Sequence, residues 1–129
     1  AIAFIPDEYD NYVALATVYN FAAEAIDPGL YQKAIDTAQQ GIEVMPLGTA
    51  IRVQLARALL GTGRAAEAVD MLRVCLDLDP ANGEAAIALA NIYRQLGQIS
   101  QALETLRAVE ARLPGQPGVA DAIKALEGQ

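Results

Sequence analysis

The 129-residue sequence predicts an all-α fold: a right-handed α-solenoid of three helix-turn-helix repeats followed by a C-terminal capping helix. Two observations carry that prediction. Pro46, Pro80 and Pro114 stand 34 residues apart, as do Gly29, Gly63 and Gly97, and Ala34, Ala68 and Ala102. A single period kept by several residue classes is the signature of stacked repeats. Within each period the apolar residues recur at three and four, the spacing of one helix face; in the third copy Ala86, Leu89, Ala90 and Tyr93 form one such face and Ala102, Leu106 and Val109 a second. A pair of helices this short cannot bury its own apolar faces, so neighbouring pairs must stack.

Taken in order, residues 1–8 ("AIAFIPDE") read as the tail of a preceding repeat or a linker, which makes the chain a piece of a longer protein. Residues 9–48 form an extended first repeat, since Pro6 and Pro46 are further apart than the later prolines; 49–82 and 83–116 are the second and third repeats, and 117–129 the cap, all in a single domain. Helices are expected near 8–26, 30–45, 49–61, 65–78, 83–96, 99–112 and 117–127. Between the paired helices, Gly29, Gly63 and Gly97 supply a backbone conformation that ends a helix without a Cβ clash. The period-ending prolines block continuation of each second helix. Asp7, Asp79, Asn82 and Ser100 are candidate capping residues. Small residues such as Ala56, Ala68, Ala90 and Ala102 permit close approach. In the last helix Val119, Ala122, Ile123 and Leu126 face inward and Asp121, Lys124 and Glu127 outward, as suits a solubilising cap.

These residues carry a family resemblance. "LANIY" (Leu89 to Tyr93), Gly97, "ALETL" (Ala102 to Leu106) and Pro114 resemble the tetratricopeptide repeat, as do "LARAL" (Leu55 to Leu59), Gly63, "AVDML" (Ala68 to Leu72) and Pro80. The first copy, with "FAAEA" (Phe21 to Ala25), "DPG" and "AIDTA" (Ala34 to Ala38), is the weakest. No tryptophan is present, and alanine replaces the glycine of the first helix. The resemblance covers about residues 9 to 127 and implies a non-enzymatic module that binds a peptide or a helix of a partner protein in a concave groove.

Composition narrows the alternatives. Nine basic residues against sixteen acidic give a net charge of -7, with no run of Lys or Arg, which argues against nucleic acid and anionic membranes as partners. One cysteine and no histidine remove an intrachain disulfide, the usual zinc sites and any histidine-based triad. No apolar run reaches the roughly 20 residues that span a bilayer, so a soluble domain without membrane insertion is expected, its compartment left open. Asp77 and Asp79, at i and i+2 in the terminal turn of a repeat, diverge and read as surface rather than metal ligands. Cys75 occupies a slot shared with Gly41 and Val109 and reads as a buried inert thiol. "GTGR" (Gly61 to Arg64) lacks the Lys-Ser/Thr ending of a phosphate loop and reads as a turn. Asp36, Glu43, Glu67 and Asp70 read as a solvated acidic face. No catalytic, cofactor-binding or metal site is expected; an enzymatic role would require catalytic groups upstream of Ala1.

The expected binding surface is the inner wall, lined by the first helix of each pair. Helical spacing groups Tyr12, Ala16, Tyr19 and Ala23 in the first repeat, Val53, Arg57 and Leu60 in the second, and Glu84, Ile87, Asn91 and Arg94 in the third, apart from packing stripes that contain Phe21, Leu55 and Leu89. The expected peptide-binding groove comprises Tyr12, Tyr19, Val53, Arg57, Leu60, Ile87, Asn91 and Arg94, with arginines for carboxylates and asparagine for a peptide backbone. Asn91 falls where members of the family carry an asparagine that holds the ligand backbone. The carboxylate clamp of chaperone-binding members is not matched, because Tyr19, Ala23, Gln54, Glu84 and Ala88 stand at its places. The rival reading is a structural or self-association arm of a larger, envelope-associated protein, with the tyrosine-rich first helix (Tyr9, Tyr12, Tyr19, Phe21) mediating a homo-oligomer.

Overall fold

The computed structural model describes residues 8–128. Their regular structure is wholly helical: α1 (Glu8–Ala25), α2 (Leu30–Val44), α3 (Thr49–Gly61), α4 (Ala65–Leu78), α5 (Gly83–Gln95), α6 (Ile99–Arg112) and α7 (Val119–Glu127). The expected remnant of an earlier repeat, with Pro6 and the candidate cap Asp7, lies outside the described residues. The chain falls into two compact units divided between Ala68 and Val69, inside α4. Repeat arrays are held by nearest-neighbour contacts around no single core.

Each helix lies within two residues of its expected span. The largest departure is α7, which starts at Val119 because Gly118 has φ +83°, a left-handed conformation no helix residue adopts. Gly63 and Gly97 also have positive φ, +81° and +76°, and join their helix pairs as expected. The first turn differs. Gly29 has φ -61° and directly precedes α2. Asp27 takes over the turn: its Oδ1 accepts from Gly29 N at 3.0 Å, and its backbone carbonyl accepts from Leu30 N at 3.0 Å. Pro28, with its fixed φ, makes the left-handed glycine unnecessary.

In the first unit α1 packs on α2 and α3, and α2 on α3. The face α1 buries is Tyr9, Ala16, Asn20 and Ala23. Two sequence expectations are corrected here. Ala16 and Ala23 belong to the packing face and not to an open stripe, and Phe21, placed by the repeat alignment beside Leu55 and Leu89, is 68% exposed. The physical reason is rotational: Phe21 lies one third of a turn from the buried face, and Ala14, Val18 and Ala25 lie opposite it. Leu55 and Leu89, the aligned residues, are buried.

Tyrosine rings seat on glycines in this unit. A Cβ on Gly48 would lie 2.5–2.7 Å from the Tyr9 ring and hydroxyl, and one on Gly61 would lie 2.4–2.6 Å from the Tyr31 ring. At Gly41 a Cβ would meet Ile51 Cγ1 at 2.8 Å. Gly48 is the N-cap of α3 and has no side chain to cap with. The Tyr9 hydroxyl does so instead, accepting from Ile51 N at 3.2 Å.

In the second unit α5 packs on α6 and α7, and α6 on α7, around Leu89, Tyr93, Leu106, Val109, Val119 and Leu126, all buried. Cys75 is fully buried. Asp77 and Asp79 are exposed at the end of α4, where Asp79 N donates to Cys75 O at 2.8 Å. The N-terminus of α5 is capped from two directions. Asn82 Oδ1 accepts from Ala85 N at 3.1 Å; Gln116 Oε1 accepts from Gly83 N at 3.1 Å while its Nε2 donates to Ala81 O at 2.7 Å. Ser100 does not cap α6: it stands inside the first turn, and the N-cap residue is Gln98.

Ile51 and Ala85 occupy the same repeat position, so one orphan amide is served by a tyrosine from another helix in the first case and by the helix's own asparagine in the second. Tyr9→Phe and Asn82→Ala are each expected to lower unfolding stability by about 1 kcal/mol in urea titrations. Gly48→Ala should cost about 1–3 kcal/mol, because the ring beneath it is buried and rigid.

Candidate functional site

Among the described residues, a cavity in each unit contains residues of the expected binding surface. In the first unit a cavity of about 250 Å3 is lined by Asn20, Glu24, Tyr31, Arg57, Leu60 and Gly61. Arg57 and Leu60 reach it from α3, and Asn20 and Glu24 from α1, one turn apart on the same side. The seating of Tyr31 on Gly61 fixes the wall contributed by α2.

The polar side chains here form a chain of contacts. Asn20 is 1% exposed, and its Nδ2 donates to Gln54 O at 2.9 Å and to Gln54 Oε1 at 3.0 Å. Arg57 Nη1 donates to the same Gln54 Oε1 at 3.5 Å, and its Nη2 lies 3.8 Å from Glu24 Oε2. With side chains 40% and 68% exposed, that ion pair contributes at most about 1 kcal/mol. Asn20 Oδ1 is a buried acceptor with no donor among the described residues. A buried polar atom in that state calls for an occupant of the adjoining space or a compensating gain elsewhere.

In the second unit Asn91 and Arg94 share a cavity of about 290 Å3 with Ala90, Leu106, Ala122, Ala125 and Leu126. Small and aliphatic side chains of α5, α6 and α7 make its floor, and both polar residues are exposed. A further cavity, of about 310 Å3, lies beside Arg73 and Tyr93 with Gln101, Glu104, Thr105 and Ala108. There the Tyr93 hydroxyl accepts from Arg73 Nε at 3.0 Å and Nη2 at 2.6 Å, which raises the guanidinium pKa further above its ordinary value.

Val53 is 2% exposed and belongs to the core, which removes it from a contact surface. Tyr12 is half-buried; its hydroxyl donates to Glu8 Oε1 at 3.3 Å, and burial first, then the Glu8 carboxylate, hold it above the usual phenol range. It therefore stays neutral at physiological pH. Tyr19 and Ile87 are half-buried and outside both cavities, with Ile87 against Gly118. Asn20, Glu24 and Tyr31 were not singled out from the sequence. The available signal was that Asn20 and Gln54 are 34 residues apart, so two polar side chains fill one slot of successive first helices.

Paired short helices, glycine turns and surface cavities edged by first-helix side chains define a helical-repeat protein. The sequence profile of the tetratricopeptide repeat family matches residues 63–126, and that part of the chain carries such repeats. Anaphase-promoting complex subunit 3 of Dictyostelium discoideum is 30% identical over 80 residues, which is 62% of this chain and 8% of that protein. A thermophilic tetratricopeptide-repeat protein of Thermus thermophilus superposes with a TM-score of 0.86 at 17% identity over 94% of this chain and 64% of the other. The first such domain of Spaghetti, bound to an HSP90 peptide, superposes at 0.72 with 16% identity over 95% of this chain and 97% of that one. The Yersinia enterocolitica type III secretion chaperone SycD, in complex with a peptide of the translocator YopD, gives 0.71 at 15% identity over 95% of each chain. The chain thus spans a small part of its curated relative and shares the fold with all three structures. No helix among the described residues is long and apolar enough to cross a membrane.

Replacing Asn20 by aspartate places a carboxylate against Gln54 O and Oε1. Burial and those facing oxygens raise its folded pKa above the unfolded value. Asn20→Asp is therefore expected to lose about 3 kcal/mol at neutral pH and to recover as the pH falls through the raised pKa. Urea titrations at neutral and mildly acidic pH check the sign.

Proposed function

We propose that this chain is a non-enzymatic protein-interaction module that takes a peptide or a helix of a partner protein on the cavity-bearing surfaces of its first helices. The observation that carries this reading is the pairing of Asn91 and Arg94 over an apolar floor in one cavity, with Arg57 and Leu60 in another. An apolar floor holds side chains of the peptide, an asparagine amide pairs with its backbone, and arginines address its carboxylates. Tyr12, Tyr19 and Ile87 are proposed as flanking contacts. The peptide complexes of Spaghetti and SycD, on the same fold, support a peptide as the ligand class. The partner is a protein carrying an exposed segment with at least one carboxylate.

The test is capture from a lysate of the source cell, with the chain and its Arg57→Glu/Arg94→Glu variant compared by mass spectrometry. Both arginines are exposed or half-buried, so the variant is expected to fold. A partner held by the parent should be recovered at least about tenfold less well by the variant, the effect of losing one charge-assisted contact. Equal recovery would sink the assignment of these surfaces.

A second reading has its own observation. On the side of α1 opposite its packing face, Val18 and Phe21 are exposed together with Ala14 and Ala25, and Leu15 lies at the edge. A helix apolar on both sides calls for a second contact, and a second copy of the chain would supply it. Sedimentation equilibrium is then expected to show a dimer that Val18→Ser/Phe21→Ser converts to monomer. A parent chain that remains monomeric at high concentration rules this out.

A further inference from the structure

We infer that Asn82 is a modification site, where the side-chain amide converts spontaneously to aspartate or isoaspartate through a succinimide, and that Gln116 holds this reaction off in the folded chain. The starting point is the dipeptide Asn82-Gly83. A glycine after asparagine leaves its own backbone nitrogen unobstructed and the chain free to turn, so the pair is chemically labile wherever the backbone is loose. The reaction needs only water. Gly83 N gives its proton to solvent and bonds to Asn82 Cγ; the Cγ–Nδ2 bond then breaks, and the nitrogen leaves as ammonia with a proton taken back from solvent. Water opens the ring. Attack at Cγ gives aspartate, and attack at the main-chain carbonyl carbon gives isoaspartate, in which the backbone runs through the side chain.

The folded structure opposes each step. Ring closure requires Asn82 Cβ and Gly83 N to eclipse one another about the Cα–C bond; at the observed φ -75° and ψ 98° they lie nearly opposite. The Asn82 carboxamide is occupied as a cap, with Oδ1 accepting from Ala85 N at 3.1 Å. Gly83 is buried, and its N–H donates to Gln116 Oε1 at 3.1 Å, which favours the protonated nitrogen over the nucleophile. Gln116 Nε2 donates to Ala81 O at 2.7 Å, so one side chain grips the backbone on both sides of Asn82 and resists its rotation. Gly83 makes that grip possible, because a Cβ there would lie 2.5 Å from Gln116 Oε1. The glycine that makes the site labile thus also admits its guard. Gln116 belongs to the segment between α6 and α7, and conversion of Asn82 records the undocking of that segment. The two products differ in effect. Aspartate still caps α5 and places a negative charge at its N-terminus, which a helix accepts. Isoaspartate lengthens the backbone and carries Gly83 N away from Gln116, loosening the start of the helix that bears Asn91 and Arg94.

The experiment follows Asn82 by tryptic peptide mapping and mass spectrometry during incubation at mildly alkaline pH, with a digest taken at the start subtracted. The peptide from Val74 to Arg94 carries both Asn82 and Asn91, and Asn91, followed by the branched Ile92, is the internal reference. Conversion at Asn82 in the folded chain is expected to be at least about tenfold slower than in the same chain unfolded in guanidinium chloride. Gln116→Met keeps the length of the side chain and removes both hydrogen bonds; it should raise the folded rate by about tenfold. Leu106→Val removes one methylene from the buried middle of α6, lowers global stability, and should leave the rate at Asn82 within about twofold of the parent. Equal rates in the folded and unfolded parent overturn the proposal, and so does a Gln116→Met rate unchanged from the parent. Equal acceleration by Gln116→Met and Leu106→Val overturns it as well, because global unfolding and not the glutamine would then set the rate.

Discussion

Close approach of aromatic rings to glycine backbones is the contact on which the first unit depends. Tyr9 over Gly48 and Tyr31 over Gly61 each occupy the space where any other residue would carry a Cβ. The first contact brings the Tyr9 hydroxyl to the start of α3, where it serves the otherwise orphaned amide of Ile51. The second sets the wall of α2 against the end of α3 and so shapes the cavity that holds Asn20 and Arg57. Flat rings on bare backbone give tight packing with little side-chain entropy to lose, an economy that suits short helices. The second unit reaches the same end by hydrogen bonding, with Gln116 seated on Gly83 and clamping both sides of the chain entering α5.

The elements were legible in the sequence because helix ends here are set by local chemistry. Gly63, Gly97 and the period-ending prolines act within a few residues of their own positions, and the spans of α2 to α6 followed from them. Orientation was less legible. The alignment of Phe21 with Leu55 and Leu89 assumed equivalent surroundings, but α1 turns another face to its neighbours α2 and α3, and Phe21 is exposed where Leu55 and Leu89 are buried. The same assumption placed a left-handed glycine at Gly29, where Asp27 and Pro28 build a different turn. Val53 shows the converse: helical spacing put it beside Arg57, and packing buried it.

Of the candidate binding residues, those whose role depends on one side chain emerged from spacing alone. Asn91 and Arg94 are three apart on α5, and they share a cavity. Residues that act through a partner did not emerge. Asn20 contributes through Gln54, and Tyr31 through Gly61; neither pair is adjacent in sequence. The two cavities also differ in kind. One is edged by polar groups over small and aliphatic side chains, while the other contains a nearly complete set of internal hydrogen bonds that stops one donor short.

The contrast between Asn82 and Tyr9 has an evolutionary consequence. Arrays of this type grow and shrink by duplication of repeats, and a first helix copied together with the Asn that directly precedes it keeps its cap, as α5 would with Asn82. The repeat that begins at Thr49 does not: its cap sits in the preceding repeat, 42 residues before the amide it serves, on a glycine whose Cβ would collide with the tyrosine ring. A copy of it inserted elsewhere would arrive with an uncapped helix and an empty seat. A rearrangement that parted α3 from Tyr9 would therefore cost it that cap, whereas one that moved α5 together with Asn82 would leave the Asn cap in place.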